Sequence, residues 1–190
     1  MQTLQMSNPM LRDAMKSGLF SVLLLLASNA FADGAKSRCA IDLPKNLKEQ
    51  LSAQYERWRV VQKSDLLADD LRIWNGSFPK SCPGVIRADF DGSGVQQYAV
   101  LLNSRAEEKS LLLVAKEMKK GSFVLSKLLE MSRVNSPVIH IGKPGRYFDV
   151  SDRSKPINIR RPTIVLEVLE SSAQAFFYDG TKIQSAVLSE

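Results

Sequence analysis

Residues 85–129 read VIRADFDGSGVQQYAVLLNSRAEEKSLLLVAKEMKKGSFVLSKLL. Four runs of β-favouring residues occur in this stretch, at 85–90, 95–102, 110–116 and 122–129. Short polar or glycine-containing connections separate them, which is typical of strands bounded by turns. Parallel neighbours would need crossover connections of a dozen or more residues, so the spacing predicts an antiparallel meander.

The chain beyond the meander contains a second β-rich part. Residues 163–169 predict one strand, and residues 173–178 and 181–188 predict a hairpin around Asp179-Gly180, a dipeptide that strongly favours a tight turn. The intervening residues 131–162 contain Pro137, Pro144, Pro156 and Pro162. We predict that this segment is irregular, apart from a short strand at 138–141.

Helical periodicity is confined to the part of the chain before the meander. An apolar face recurs at helical spacing in Leu47, Leu51, Tyr55 and Trp58. A second short helix is predicted from Ser64 or Asp65 to Asn75-Gly76, with its apolar side formed by Leu66, Leu67, Leu71 and Trp74. The predicted fold class is α+β, with N-terminal helices packed on a mostly antiparallel sheet made of the meander and the C-terminal hairpin. The tyrosine and tryptophans could form a ligand platform, although their helical spacing is more typical of core residues.

An export signal is predicted at the N-terminus. Residues 18–27 read GLFSVLLLLA, preceded by Lys16 and followed by Ala30-Phe31-Ala32, a small-x-small cleavage site. The apolar run is shorter than the roughly 20 residues that span a bilayer. We predict a cleavable signal peptide at 1–32, a single α+β domain at 33–190, and a periplasmic or secreted mature protein. Translation could start at Met1 or at Met15, and a retained N-terminal anchor is the alternative to cleavage.

The composition of the predicted mature chain limits the classes of partner. Residues 33–190 carry 24 Lys and Arg against 19 Asp and Glu, a net charge of +5. This charge favours solubility and mild attraction to anions, but it is far from the composition of a nucleic-acid-binding protein. No further apolar run approaches membrane-spanning length. The two remaining cysteines, Cys39 and Cys82, predict a disulfide bond in an oxidising compartment.

A glycine-rich loop carries the most suggestive local motif. Residues 89–100 read DFDGSGVQQYAV and resemble the calcium loop of FG-GAP and VCBS-type repeats. The resemblance places Asp89 and Asp91 on the first and third ligand positions, while Ser93 and Gln97 replace the acids of the fifth and ninth. Calcium affinity falls with ligand charge, so Asp89, Asp91 and Ser93 are predicted to bind calcium weakly or not at all. No other cofactor is expected.

The same part of the chain also resembles small exported bacterial proteins of unassigned function. The resemblance rests on Cys82-Pro83-Gly84, on the loop at 89–94, on YAVLL at 98–102 and on Tyr178-Asp179-Gly180. It implies an extracytoplasmic location and a sheet topology, but no reaction.

Catalytic residues are few in this sequence. His140 is the one histidine, and it lies in an apolar strand, where a histidine is more often structural than catalytic. No G-x-S-x-G or comparable nucleophile turn accompanies it. Glu167 and Glu170 lie three apart on a predicted strand and therefore point to opposite faces.

A basic segment at 143–161 is the candidate binding site. The segment contains six basic residues and only two aspartates, and it includes the aromatic pair Tyr147-Phe148. The predicted contact residues are Lys143, Arg146, Tyr147, Phe148, Arg153, Lys155, Arg160 and Arg161. Arginine with tyrosine is a combination enriched at interface hot spots, although a merely solvated loop is the alternative.

The sequence predicts a non-enzymatic, exported binding or accessory protein. Its partner would be a protein or an anionic envelope polymer, and an inhibitor or immunity-type role in the cell envelope is a special case. The alternative is a small secreted hydrolase that uses His140 with Asp89 or Asp91. The two functions predict different surroundings for His140, which is packed in the first and placed in an open polar cleft in the second.

Overall fold

The computed structural model describes residues 43–132 and 136–189. Two ten-residue helices, α1 (Lys45–Gln54) and α2 (Ala68–Ser77), lie in the first part, with short 3-10 turns at Lys63–Asp65 and Lys119–Gly121. The strands of the first half are β1 (Trp58–Val60), β2 (Val85–Ala88), β3 (Gln97–Ser104), β4 (Lys109–Glu117) and β5 (Phe123–Ser132). Those of the second half are β6 (Pro137–Gly142), β7 (Gly145–Asp149), β8 (Asp152–Ile159), β9 (Thr163–Val168), β10 (Ser172–Tyr178) and β11 (Ile183–Ser189).

The strands form three antiparallel sheets. The first has the order β1-β3-β4-β5, with β2 also pairing with β3, and the second has the order β11-β10-β9-β6. Strands β7 and β8 pair with each other as a two-stranded ribbon. The turn at Asp179-Gly180 joins β10 to β11, and Asp179 fixes it by accepting hydrogen bonds from the backbone of Thr181 and Lys182.

The central strands β3 and β4 of the first sheet are buried on both of their faces. All eight residues of β3 are buried, which explains why this strand reads as a nearly continuous apolar run. On one face Tyr98, Val100 and Leu102 pack with Leu47 and Leu51 of α1. On the other face, side chains of the first sheet pack with apolar side chains of the second, and this cluster includes Ala99, Leu101, Ile139, Ile164 and Leu166.

A short segment before β2 joins the two sheets. The Ile139 amide donates to the Pro83 carbonyl oxygen at 2.7 Å, and the Leu101 amide donates to the Gly84 carbonyl oxygen at 2.9 Å. Cys82, just before this junction, is fully buried. The predicted signal peptide at 1–32 and Cys39 lie outside the described residues, so cleavage and the Cys39–Cys82 bridge stay predictions.

The predicted α+β fold class is wrong. The described chain is mostly antiparallel β structure with two short helices, and no helix bundle packs on a sheet. The prediction failed in part because 131–162, expected to be irregular, contains β6, β7 and β8. Pro137 is the first residue of β6 and Pro156 lies in a two-stranded ribbon, and proline is tolerated at the first residue of a strand and on edge strands.

The apolar helical pattern at 47–58 also extends beyond the helix that the structure contains. Helix α1 ends at Gln54, Tyr55 is its C-cap, and Trp58 begins β1. Trp58 pairs with Ser104 of β3, so pairing with the sheet overrides the helical spacing. Among the described residues, no helix is both long and apolar enough to cross a bilayer.

Candidate functional site

The basic ribbon, which we define as β7 and β8, presents one face to solvent. Arg146 lies opposite Asn158 and Phe148 lies opposite Pro156, so these four side chains share a face of the ribbon. The Arg146 guanidinium carbon lies 5.2 Å from the centroid of the Phe148 ring, within the range of a cation–π contact. Phe148 is 44% exposed, which is unusual for a phenylalanine. The outer face therefore combines an exposed aromatic ring with a stacked cation.

The opposite face and the turn attach the ribbon to the second sheet. Tyr147 is half-buried, and its hydroxyl donates to the Lys143 carbonyl oxygen at 2.6 Å. Burial raises the pKa of Tyr147 above its usual value. The Val150 amide donates to the Val187 carbonyl oxygen at 2.8 Å, and the Val187 amide donates to Asp149 Oδ2 at 3.2 Å. These bonds to β11 hold the ribbon in place, in contrast to a loosely solvated loop.

The charge on the ribbon and its ends is predominantly positive. The exposed basic residues there are Lys143, Arg146, Arg153, Lys155 and Arg160. The two acidic residues are engaged locally: hydrogen bonds from Ser151 lower the pKa of Asp149, and hydrogen bonds from Ser154 lower that of Asp152. Lys155 Nζ lies 3.5 Å from Asp152 Oδ2, an exposed pair that leaves the other cations to dominate.

Arg161 does not belong to this surface. It is half-buried, and its guanidinium carbon lies 5.6 Å from the centroid of the Tyr178 ring. Its side chain also covers Gly92, since a Cβ atom there would come within 2.8 Å of Arg161 Nη2. The structure thus brings seven of the eight predicted contact residues to the ribbon and its approach, and it places Arg161 against the glycine-rich loop.

In the glycine-rich loop, backbone amides donate hydrogen bonds to the carboxylates of the same loop. The Gly94 amide donates to Asp89 Oδ2 at 2.9 Å, and the Ser93 amide donates to Asp91 Oδ1 at 3.0 Å. Lys116 Nζ lies 2.6 Å from Asp91 Oδ2 and so supplies a cation to this carboxylate. Gly92 and Gly94 have φ values of 72° and 78°, which L-residues rarely adopt. Among residues 43–132 and 136–189, no group of three or more His, Cys, Asp or Glu could hold a metal ion.

The Asp91–Lys116 pair predicts a pH-dependent effect of Asp91→Asn. Partial burial opposes ionisation of Asp91, but hydrogen bonds from Lys116 and Ser93 outweigh it and lower the pKa well below the usual 3.8. A folded-state pKa below the unfolded one stabilises the fold above the unfolded pKa, and this contribution is lost as pH falls through the folded one. We expect Asp91→Asn to lower the free energy of unfolding by about 1 to 3 kcal/mol at pH 7, measured in urea. The difference from wild type should shrink below pH 4.

Calcium provides the control for this assignment. Because Lys116 already neutralises Asp91, millimolar calcium and a chelator should give the wild-type protein nearly the same melting temperature. A large stabilisation by calcium that disappears in Asp91→Asn would show that this loop binds the metal and that Lys116 is not its counter-ion.

His140 is packed beside a different carboxylate from those predicted. Its Nε2 lies 3.3 Å from Glu167 Oε2, and its ring stacks on Phe78 with centroids 4.6 Å apart. The His140 side chain is 18% exposed. This pair could not be predicted from the sequence, because it depends on the β6–β9 register. In that register Val138 lies opposite Glu167, and His140 is the next residue on the same face of β6.

Two further residues of the basic ribbon were not predicted as contacts. Pro156 and Asn158 share the outer face with Phe148 and Arg146 through the β7–β8 register. The alternation of β8 could have suggested this, because Ile157 and the buried Ile159 alternate with Pro156 and Asn158 and therefore point the other way.

Comparison with known proteins gives no relative in which this site could be recognised. The chain matches no protein-family model, no curated protein and no solved structure.

Proposed function

We propose that this is an exported, non-enzymatic binding or accessory protein that engages an acidic protein through the outer face of the basic ribbon. The observation that carries the proposal is the exposed Phe148 ring with the Arg146 guanidinium stacked on it. Interface hot spots are enriched in aromatic residues and arginine, because one buries apolar area and the other makes directional charged contacts.

The charges around this pair support an acidic partner. Lys143, Arg153 and Arg160 are exposed, and the ribbon's two aspartates are occupied by local hydrogen bonds. Concentrated positive charge accelerates association with an acidic surface and makes it sensitive to salt. The aromatic anchor beside the cations supports a folded protein as the partner, because protein interfaces are enriched in aromatic residues and arginine at their centres.

The surroundings of His140 favour binding over hydrolysis. The alternative hydrolase needs His140 to act with Asp89 or Asp91, yet Asp91 pairs with Lys116 and Asp89 accepts from the Gly94 amide. His140 contacts Glu167 and Phe78, and it is mostly buried. We therefore assign His140 to packing and expect no role for it in partner recognition.

Charge reversal on the ribbon tests the proposed function. The variant Arg146→Glu with Arg153→Glu should abolish recovery of the native partner from the cell envelope, as measured by affinity purification with mass spectrometry. Lys45→Glu with Arg72→Glu is the matched control, because it changes the net charge equally at two exposed positions on the helices. This control and His140→Ala should both retain the partner.

Two outcomes would contradict the proposal. Partner recovery that survives the ribbon reversal, together with a biological effect lost in His140→Ala, would support the hydrolase instead. Retention of an anionic polysaccharide with no co-purifying protein would identify an envelope polymer as the ligand.

A further inference from the structure

A concave site lies away from the basic ribbon, between the end of α1 and the edge of the first sheet. It is a cavity of about 280 Å³, to which α1 contributes Leu51, β1 contributes Trp58 and Arg59, and β3 contributes Leu102. Small-molecule sites are typically concave, mostly apolar and roughly 300 to 1,000 Å³ in volume. The volume of the cavity is just below that range, which suits a small molecule and not a long lipid chain.

The walls of this cavity are apolar and aromatic. Leu51 and Leu102 are buried members of the core cluster beneath α1, whereas Tyr55 and Trp58 are only partly buried and pack against that cluster. Tyr55 caps α1 and Trp58 begins β1, so both aromatic rings are carried by the end of a regular element. The aromatic residues Tyr55 and Trp58 therefore both pack on the core and line this cavity.

The charged groups of the cavity are all basic. Lys48, Arg59 and Arg105 line it, and no Asp or Glu is among the described lining residues. Arg59 is held by Asp65, with Nη1 2.5 Å from Oδ1, so it is a fixed part of the wall. Arg105 is exposed. Its backbone amide donates to the Arg57 carbonyl oxygen at 2.7 Å, and this bond fixes the backbone from which the side chain extends.

We propose that this cavity binds a small amphipathic carboxylate. An aromatic or short aliphatic body would pack against Leu51, Leu102 and Trp58, and the carboxylate would accept hydrogen bonds from the Arg105 guanidinium. A carboxylate and a guanidinium form charge-assisted hydrogen bonds, which are shorter and stronger than bonds between neutral groups. The site is separate in sequence and in fold from the ribbon, and the proposal does not rest on the proposed function.

The two tryptophans of the chain make the test specific. In a ¹H–¹⁵N correlation spectrum of the full mature protein, titrated 2-naphthoate should shift the indole signal of Trp58. The indole signal of Trp74 should not move, because Trp74 is fully buried elsewhere and its Nε1 donates to the Ser81 carbonyl oxygen at 3.4 Å. Arg105→Gln should weaken binding about tenfold, and Arg87→Gln, an exposed arginine on β2 outside the cavity, should not.

Charge selectivity decides the result. We expect 2-naphthylmethylamine, a cation of similar shape, to bind at least about tenfold more weakly than 2-naphthoate. Equal binding of the two probes, an unmoved Trp58 signal at saturating naphthoate, or an Arg105→Gln affinity equal to wild type would each overturn the proposal.

Discussion

Gly84→Ala is expected to lower the free energy of unfolding by about 3 kcal/mol. A Cβ atom at Gly84 would lie 2.9 Å from both the amide nitrogen and the Cβ of Val61, and closer still to the Val61 carbonyl oxygen. These are mainly backbone atoms and cannot rotate away as the end of a long side chain can. Both segments are also tied to β3, since Leu101 donates to the Gly84 carbonyl oxygen and accepts from the Val61 amide. The added methyl group therefore has to displace the junction between the sheets.

Gly76→Ala is the matched control for this prediction. Gly76 lies in the last turn of α2, and a Cβ atom there would meet no atom within 4 Å. Alanine is favoured over glycine in a helix by up to about 1 kcal/mol, so this variant should be slightly more stable than wild type. Urea unfolding of the two variants should give changes of opposite sign. Equal stability of Gly84→Ala and wild type would mean that the junction is not packed as described.

Phe148→Ala should weaken partner binding by about 2 kcal/mol, or roughly thirtyfold. The physical reason is that this ring is the largest apolar group on the outer face of the ribbon, and it holds the Arg146 guanidinium by stacking. Because the ring is 44% exposed, its removal should leave the urea midpoint close to that of wild type. The effect should therefore appear in the affinity for the partner and not in stability.

Val124→Ala controls for the general loss of exposed apolar area. Val124 is 50% exposed and lies on β5, outside the basic ribbon. Its truncation should leave the affinity unchanged when both variants are titrated against the purified partner. If Val124→Ala weakened binding as much as Phe148→Ala, the contact surface would have to include β5.

The sequence predicted the local β structure better than the architecture. The four strands expected between 85 and 129 correspond to β2, β3, β4 and β5, because their turns contain glycine or polar residues. The packing of one sheet on another was not predictable, since alternating side chains such as Leu101 and Leu102 reveal two buried faces but not what covers them. The α+β assignment assumed that helices cover the sheet, whereas a second sheet covers one of its faces.

The sequence predicts most of the residues that form the candidate site, but not how their side chains are arranged. The cluster of cations at 143–161 stands out in the sequence, and most of it lies on or beside the ribbon. The departure of Arg161 toward Tyr178 and Gly92 could not be foreseen, because those partners lie far away in sequence. The stacking of Arg146 on Phe148 follows from their spacing of two, but only once the segment is known to be a strand.

Site-specific photo-crosslinking in cells tests the ribbon proposal most directly. A photo-reactive phenylalanine analogue would be placed at position 148 in one strain and at position 124 in another. We expect a crosslink to one acidic protein from position 148 and no such crosslink from position 124. The crosslink from position 148 should be lost at high salt or with Arg146→Glu and Arg153→Glu. A crosslink from position 124 alone, or from neither position while the partner still co-purifies, would contradict the assignment of the basic ribbon as the contact surface.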